Sequence, residues 1–67
     1  MKIFGKRLRE VRKTKGLKQQ ELADILGISQ KSYSYWENGK TEPSFESIVK
    51  LADLLDVSLD WLFGRDK

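Results

Sequence analysis

The residues with the most chemistry to offer lie in one run, Gln19-Gln20-Glu21-Leu22-Ala23-Asp24-Ile25-Leu26-Gly27-Ile28-Ser29-Gln30-Lys31-Ser32-Tyr33-Ser34-Tyr35-Trp36-Glu37-Asn38-Gly39. At helical spacing, Lys31, Ser34, Tyr35 and Asn38 share one face at i, i+3, i+4 and i+7, with Gln30 at its N-terminal end. From Gln30 on, the run carries no acid before Glu37. A face built only for solubility usually carries Glu–Lys pairs. This one carries carboxamide, hydroxyl and ammonium groups instead, the set that reads base edges in a DNA major groove. Gln bonds N6 and N7 of adenine together, Lys suits O6 and N7 of guanine, and Ser adapts to either. Tyr35 offers a ring to a thymine methyl or a hydroxyl to a phosphate. The plain alternative is a solvated polar face.

Such a face is useful only if the helix bearing it protrudes. Leu26-Gly27-Ile28-Ser29 leaves about three residues for a sharp turn between two helices, and a helix pair joined so briefly crosses steeply. Gly27 takes the positive φ that the turn needs. Ile28 buries at the corner, and Ser29 accepts from the free amides of the following helix. Tyr33 and Trp36, three residues apart, point inward and anchor it.

The rest of the chain reads as helices that hold this pair. Phe4, Leu8 and Val11 form an apolar stripe on a first helix that stops at Lys15-Gly16. Leu22, Ile25 and Leu26 form the inner face of the second. Asn38-Gly39 stops the third. Pro43-Ser44 opens a fourth, with Glu46 in its first turn and Ile48, Leu51, Ala52 and Leu55 inside. Ser58 caps a short fifth helix holding Leu59, Leu62 and Phe63, ended by Gly64. Gly5, Gly16, Gly27, Gly39 and Gly64 all read as isolated helix punctuation. Nothing alternates with period two. The expected fold is all-α, five helices around one small core. It forms a single domain over 1–67, with the motif at about 19–38.

Composition narrows the function. The chain has 67 residues, no cysteine and no histidine, which excludes disulfides and thiolate or imidazole metal sites. Asp53, Asp56 and Asp60 are spaced along a helix and past a turn, and an oxygen-only metal site needs about six converging ligands. They read as a solvated acidic face, so no metal and no cofactor are expected. With no serine beside a base and no glycine-rich phosphate loop, the chain is not expected to be an enzyme. No small-molecule site is evident. No apolar run approaches a membrane span, and the N-terminus lacks the apolar stretch of a secretory signal. Residues 1–20 carry eight lysines and arginines against Glu10 alone, whereas 41–67 carry three against six acids. One end is drawn to a polyanion and the other is repelled by it.

Gln19-x-Glu21-Leu22-Ala23-x-x-Leu26-Gly27-Ile28-Ser29, followed by Glu37-Asn38-Gly39-Lys40 and Pro43, closely resembles the helix-turn-helix family of lambdoid phage repressors and Cro, the XRE family. The resemblance covers nearly the whole chain. It includes Arg12 in Arg-x-x-x-Gly-Leu and the tail Leu54-Leu55-x-Val57-Ser58-Leu59-Asp60-x-Leu62. The end of the chain, Ser58 to Gly64, is most similar to immunity repressors of Gram-positive prophages and mobile elements. The resemblance implies that Gln19 bonds a DNA phosphate and braces Gln30 for a bidentate adenine contact. Lys31, Ser34 and Tyr35 fall on the other base-reading positions, and Asn38 and Lys40 on phosphate-binding ones. Arg12 and Glu37 match an internal ion pair between helix one and the end of helix three. The implied protein is a cytoplasmic, bacterial or phage-encoded repressor. It binds a palindromic double-stranded operator as a weak homodimer, with helix three in the major groove.

Three features depart from the family pattern. Lys18 stands where a Ser or Thr cap is usual, a loss of about 1 kcal/mol, although it can reach the phosphate near Gln19. The loop Lys40-Thr41-Glu42-Pro43-Ser44 lacks a minor-groove arginine and carries Glu42, so no minor-groove reading is expected. Tyr33 and Trp36 replace common aliphatic residues, so the core must be shaped around two rings. Trp61 is left over by the inner face of helix five; it joins a dimer contact or lies over helix one near Ile3. The competing function is a protein-interaction module, an antitoxin or an adaptor on the same fold. The chain reads equally as a whole protein or as the N-terminal piece of a longer repressor.

Overall fold

The computed structural model describes residues 2–65. Met1, and the Asp66 and Lys67 charges counted above, lie outside the described residues. The elements are α1 (Lys2–Thr14), α2 (Gln19–Leu26), α3 (Gln30–Glu37), α4 (Phe45–Leu55) and α5 (Leu59–Leu62). Every element among the described residues is helical, in the expected order.

One core holds them together. Phe4, Leu8 and Val11 of α1 meet Leu22 and Ala23 of α2, Tyr33 and Trp36 of α3, Ile48, Leu51, Ala52 and Leu55 of α4, and Leu62 of α5. Tyr33 is fully buried and packs edge-on against Trp36, ring centroids 5.9 Å apart. Aromatic pairs favour this geometry because the positive edge of one ring meets the negative face of the other. Ser29, Ser44 and Ser58 each accept a hydrogen bond from a backbone amide of the helix they precede. Each therefore satisfies a donor that the helix leaves open.

Three local expectations are corrected, and one helix end is new. Ile25 does not face the core; it is 58% exposed. Leu22, Leu26 and Ala23 span about 100° of the helix circumference, and Ile25 lies about 60° outside that arc, on the side away from Leu26. Gly5 is not punctuation. It is buried inside α1, and a Cβ there would sit 2.5 Å from the Glu37 carbonyl oxygen and 2.6 Å from that of Trp36. Only glycine lets α1 approach the last turn of α3 so closely. Phe63 lies just past α5 as its C-cap and stacks on Phe4 at 5.2 Å. The α4 C-cap is Asp56, a non-glycine residue at φ 55°.

Trp61 lies over α1, half-buried, with the Arg7 guanidinium 5.0 Å from its ring centroid. Arg7 also donates to the Trp61 carbonyl. A cleft on one side is lined by Ile3, Lys6, Arg7 and Glu10, and one on the other by Glu10, Val11, Thr14 and Val57. Among the described residues, no helix is long and apolar enough to cross a membrane.

Candidate nucleic-acid interface

The turn between α2 and α3 sets the direction of α3. Gly27 caps α2 at φ 71°, donating to Ala23 and Asp24, and the Ile28 amide donates to the Ala23 carbonyl at 3.0 Å. These are the bonds of a helix end closed by one left-handed residue, which only glycine takes without strain. Ile28 is half-buried at the corner, and Ser29 accepts from the Ser32 amide at 3.1 Å. Before α2, Lys18 occupies the cap position and makes no side-chain cap. Its amide donates to the Glu21 carboxylate at 2.8 Å, so half of a capping box is present without the other half.

Beneath α3 sits a buried charge. The Glu37 side chain is fully buried, and Arg12 reaches it from α1, Nε to Oε2 at 2.7 Å and Nη2 to Oε1 at 3.2 Å. Arg12 Nη1 also donates to the Leu17 carbonyl at 2.9 Å, which ties in the α1–α2 connection. Burial by itself raises the Glu37 carboxyl, but Arg12 first, then Tyr33 and Gln19, hold it below its ordinary value. The same carboxylate, through its hydrogen bond above all, holds Arg12 above its ordinary value. Burial, and after it the neighbouring Glu37 carboxylate, push the Tyr33 phenol up; its buried hydroxyl interacts with that carboxylate without a well-aligned hydrogen bond among the described residues. The pair is therefore ionised and fixed, and it stakes α3 to α1.

From this charge a line of side chains runs outward. Gln19 Nε2 donates to Glu37 Oε1 at 3.0 Å. Gln30 Nε2 in turn donates to Gln19 Oε1 at 3.4 Å. Gln30 and Lys31 are exposed, while Ser34 and Tyr35 are half-buried. The Tyr35 ring has the Lys40 ammonium 4.8 Å and the Lys31 ammonium 6.0 Å from its centroid, so two cations gather about one aromatic ring. Asn38 donates to Ser34 Oγ at 3.5 Å. The Tyr35 carbonyl accepts from the amides of Lys40 at 2.9 Å and Thr41 at 3.4 Å, which folds the loop back onto the end of α3.

The candidate residues read from the sequence thus fall into three groups: Gln19 with Gln30, Lys31 and Lys40 about Tyr35, and Asn38 with Ser34. Lys18 stands exposed at the start of α2, outside these groups. Sequence reasoning missed Arg9. Its Nη2 donates to Asn38 Oδ1 at 2.9 Å, and its Nε lies 3.5 Å from Glu37 Oε1. A signal for it exists in the sequence, because Arg9 is three residues before Arg12 and shares its helix flank. With the Asn38 oxygen occupied by Arg9, its amide nitrogen is turned toward Ser34 and the outer face.

A helix-turn-helix family model matches residues 8–62. The chain belongs to the Cro/C1-type helix-turn-helix family. Among curated members of this family, it is 45% identical over 60 residues to the prophage-derived transcriptional regulator YonR of Bacillus subtilis, covering 90% of this chain and 56% of that one. It is 45% identical over 65 residues to the phage transcriptional repressor RstR of Vibrio cholerae, covering 97% of this chain and 57% of that one. The chain therefore spans a little over half the length of these relatives. Among solved helix-turn-helix structures, the P22 c2 repressor in complex with a synthetic operator matches with a TM-score of 0.84 at 35% identity, over 94% of this chain and 96% of that one.

Proposed function

We propose that this chain is a single sequence-specific DNA-binding domain of a bacterial or prophage repressor that acts in the cytoplasm by occupying its operator. The observation that carries the reading is the outer face of α3. It presents Gln30, Lys31, Ser34, Tyr35 and Asn38, while the one carboxylate of that helix, Glu37, is buried beneath it. A polyanion thus meets donors and cations without opposition. The P22 relative, alike over nearly the whole chain, is bound to an operator in its own structure, which supports DNA as that polyanion.

In this reading α3 enters the major groove. Gln30, Lys31, Ser34 and Tyr35 contact base edges. Gln19, Asn38, Lys40 and Lys18 contact phosphates and set the register. Arg9 joins them by holding Asn38. A weak homodimer places two α3 helices about 34 Å apart on a palindromic site.

Selection of bound sequences from a random duplex pool tests this, followed by salt titrations on the selected site. The expected result is a site of two half-sites, with Lys40→Ala lowering the salt slope by about one. Gln30→Ala is expected to cost about 1–3 kcal/mol at one base position per half-site. Equal affinity for selected and random duplex refutes the repressor reading and favours a protein-interaction role for the fold.

A further inference from the structure

A glutamine that reads a base faces an ambiguity of its own. Its carboxamide has two similar ends, and a free one turns over to present either polarity. Adenine offers an acceptor at N7 and a donor at N6, whereas guanine offers two acceptors, N7 and O6. Which purine Gln30 prefers thus depends on what fixes its amide.

The fixing begins at Glu37. Its carboxylate is paired with Arg12 at 2.7 Å, and an ionised carboxylate only accepts. The end of Gln19 that faces it at 3.0 Å must therefore be the NH2 end. The Gln19 oxygen is thereby aimed at Gln30, 3.4 Å away, and the end of Gln30 that meets it must again be NH2. Gln30 is left with one free N–H and its carbonyl oxygen, which is the complement of adenine. Against guanine, that carbonyl confronts O6 oxygen to oxygen. Turning Gln30 over would oppose two amide oxygens. Turning Gln19 as well would press its oxygen against the buried carboxylate.

We propose that Glu37 is a specificity-positioning residue, whose buried charge, passed through Gln19, locks Gln30 in the polarity that accepts adenine and rejects guanine. The proposal rests on reading α3 as the base-contacting helix. It gives the Arg12–Glu37 pair a role beyond joining α1 to α3: it sets the sign at the base-contacting end of a line of three side chains.

The test uses Gln19→Met, which keeps the length of the side chain and leaves Arg12 and Glu37 paired. Affinities are measured for the selected operator and for versions with each other base pair at the position that Gln30→Ala identifies. The unsubstituted protein should favour adenine over guanine there by about tenfold or more. Gln19→Met should shrink that ratio to about threefold or less, with the ratios at the other positions unchanged. Glu37→Gln, whose amide both donates and accepts, should shrink the same ratio in whatever fraction remains folded. A ratio that persists in Gln19→Met overturns the relay and leaves the repressor reading standing. A base preference that shrinks at every position also overturns it, because that is the mark of a helix displaced as a whole; a uniform fall in affinity with the other ratios kept reflects only the lost Gln19 phosphate contact. If the unsubstituted protein shows no base preference anywhere, the repressor reading fails, and the relay fails with it.

Discussion

Gly5→Ala tests the contact on which the placement of α3 rests. Two effects oppose each other. Alanine in a helix interior is favoured over glycine by about 1 kcal/mol. Against it, the new methyl would lie 2.5 and 2.6 Å from two backbone oxygens and 2.9 Å from the Glu37 carbonyl carbon. Because these atoms are backbone, no rotamer change relieves the clash. Restoring a separation of 3.0–3.4 Å from the nearest oxygen requires α1 and α3 to part by about 0.5–0.9 Å. Overpacking costs about 1–3 kcal/mol, and the upper end applies where a helix must move as a unit. The net expectation is a loss of about 2 kcal/mol. For a domain of this size, that lowers the thermal midpoint by roughly 8–16 °C. Thermal unfolding followed by far-UV circular dichroism measures it. A midpoint that is unchanged or raised would show that helix propensity wins and that α1 and α3 do not touch at Gly5. Operator affinity, measured well below the midpoint, should fall at all base positions together, since α3 is displaced whole.

Lys18→Ser supplies the missing half of the capping box at α2 and is expected to stabilise the domain by about 1 kcal/mol in chemical denaturation. The same change removes a cation, so the salt slope of DNA binding should fall by about one; an unchanged slope would mean that Lys18 touches no phosphate. Glu37 titrates below its ordinary value in the fold, so the ion pair contributes stability above the unfolded carboxyl's value of about 4.3 and loses it as pH falls through the lower folded value. The stability gap between the unsubstituted protein and Glu37→Gln, of order 3 kcal/mol for a broken buried pair, should be flat from about pH 6 to 8 and close below about pH 4. A gap independent of pH over that range would mean that the pair is not what Glu37 contributes.

Helix caps and stops are local, so the sequence reveals them. Ser29, Ser44, Ser58, Gly27 and Asn38-Gly39 mark ends that depend on a few adjacent residues, and four of the five helices take at least one end from them, while Lys15-Gly16 stops α1. The polar face of α3 is local in the same sense, since it needs only the helical period. Ile25 shows where that logic fails. A two-turn helix has too few residues to define its buried arc, and its neighbours decide which apolar side chain is left outside.

By itself, then, the sequence determined the fold class, the helix order, the inward pair Tyr33 and Trp36, and the resemblance that pairs Gln19 with Gln30. Tertiary structure decided what lies more than one helix apart. Gly5 is silent in sequence because its meaning is the closeness of a backbone far along the chain. Arg9 is one basic residue among many until α3 brings Asn38 within reach. Glu37 becomes the origin of a line through Gln19 to Gln30 only when α1, α2 and α3 converge on one carboxylate. Spacing specifies a face, but the polarity of an amide depends on which atom stands across from it, and that is a property of the packed molecule.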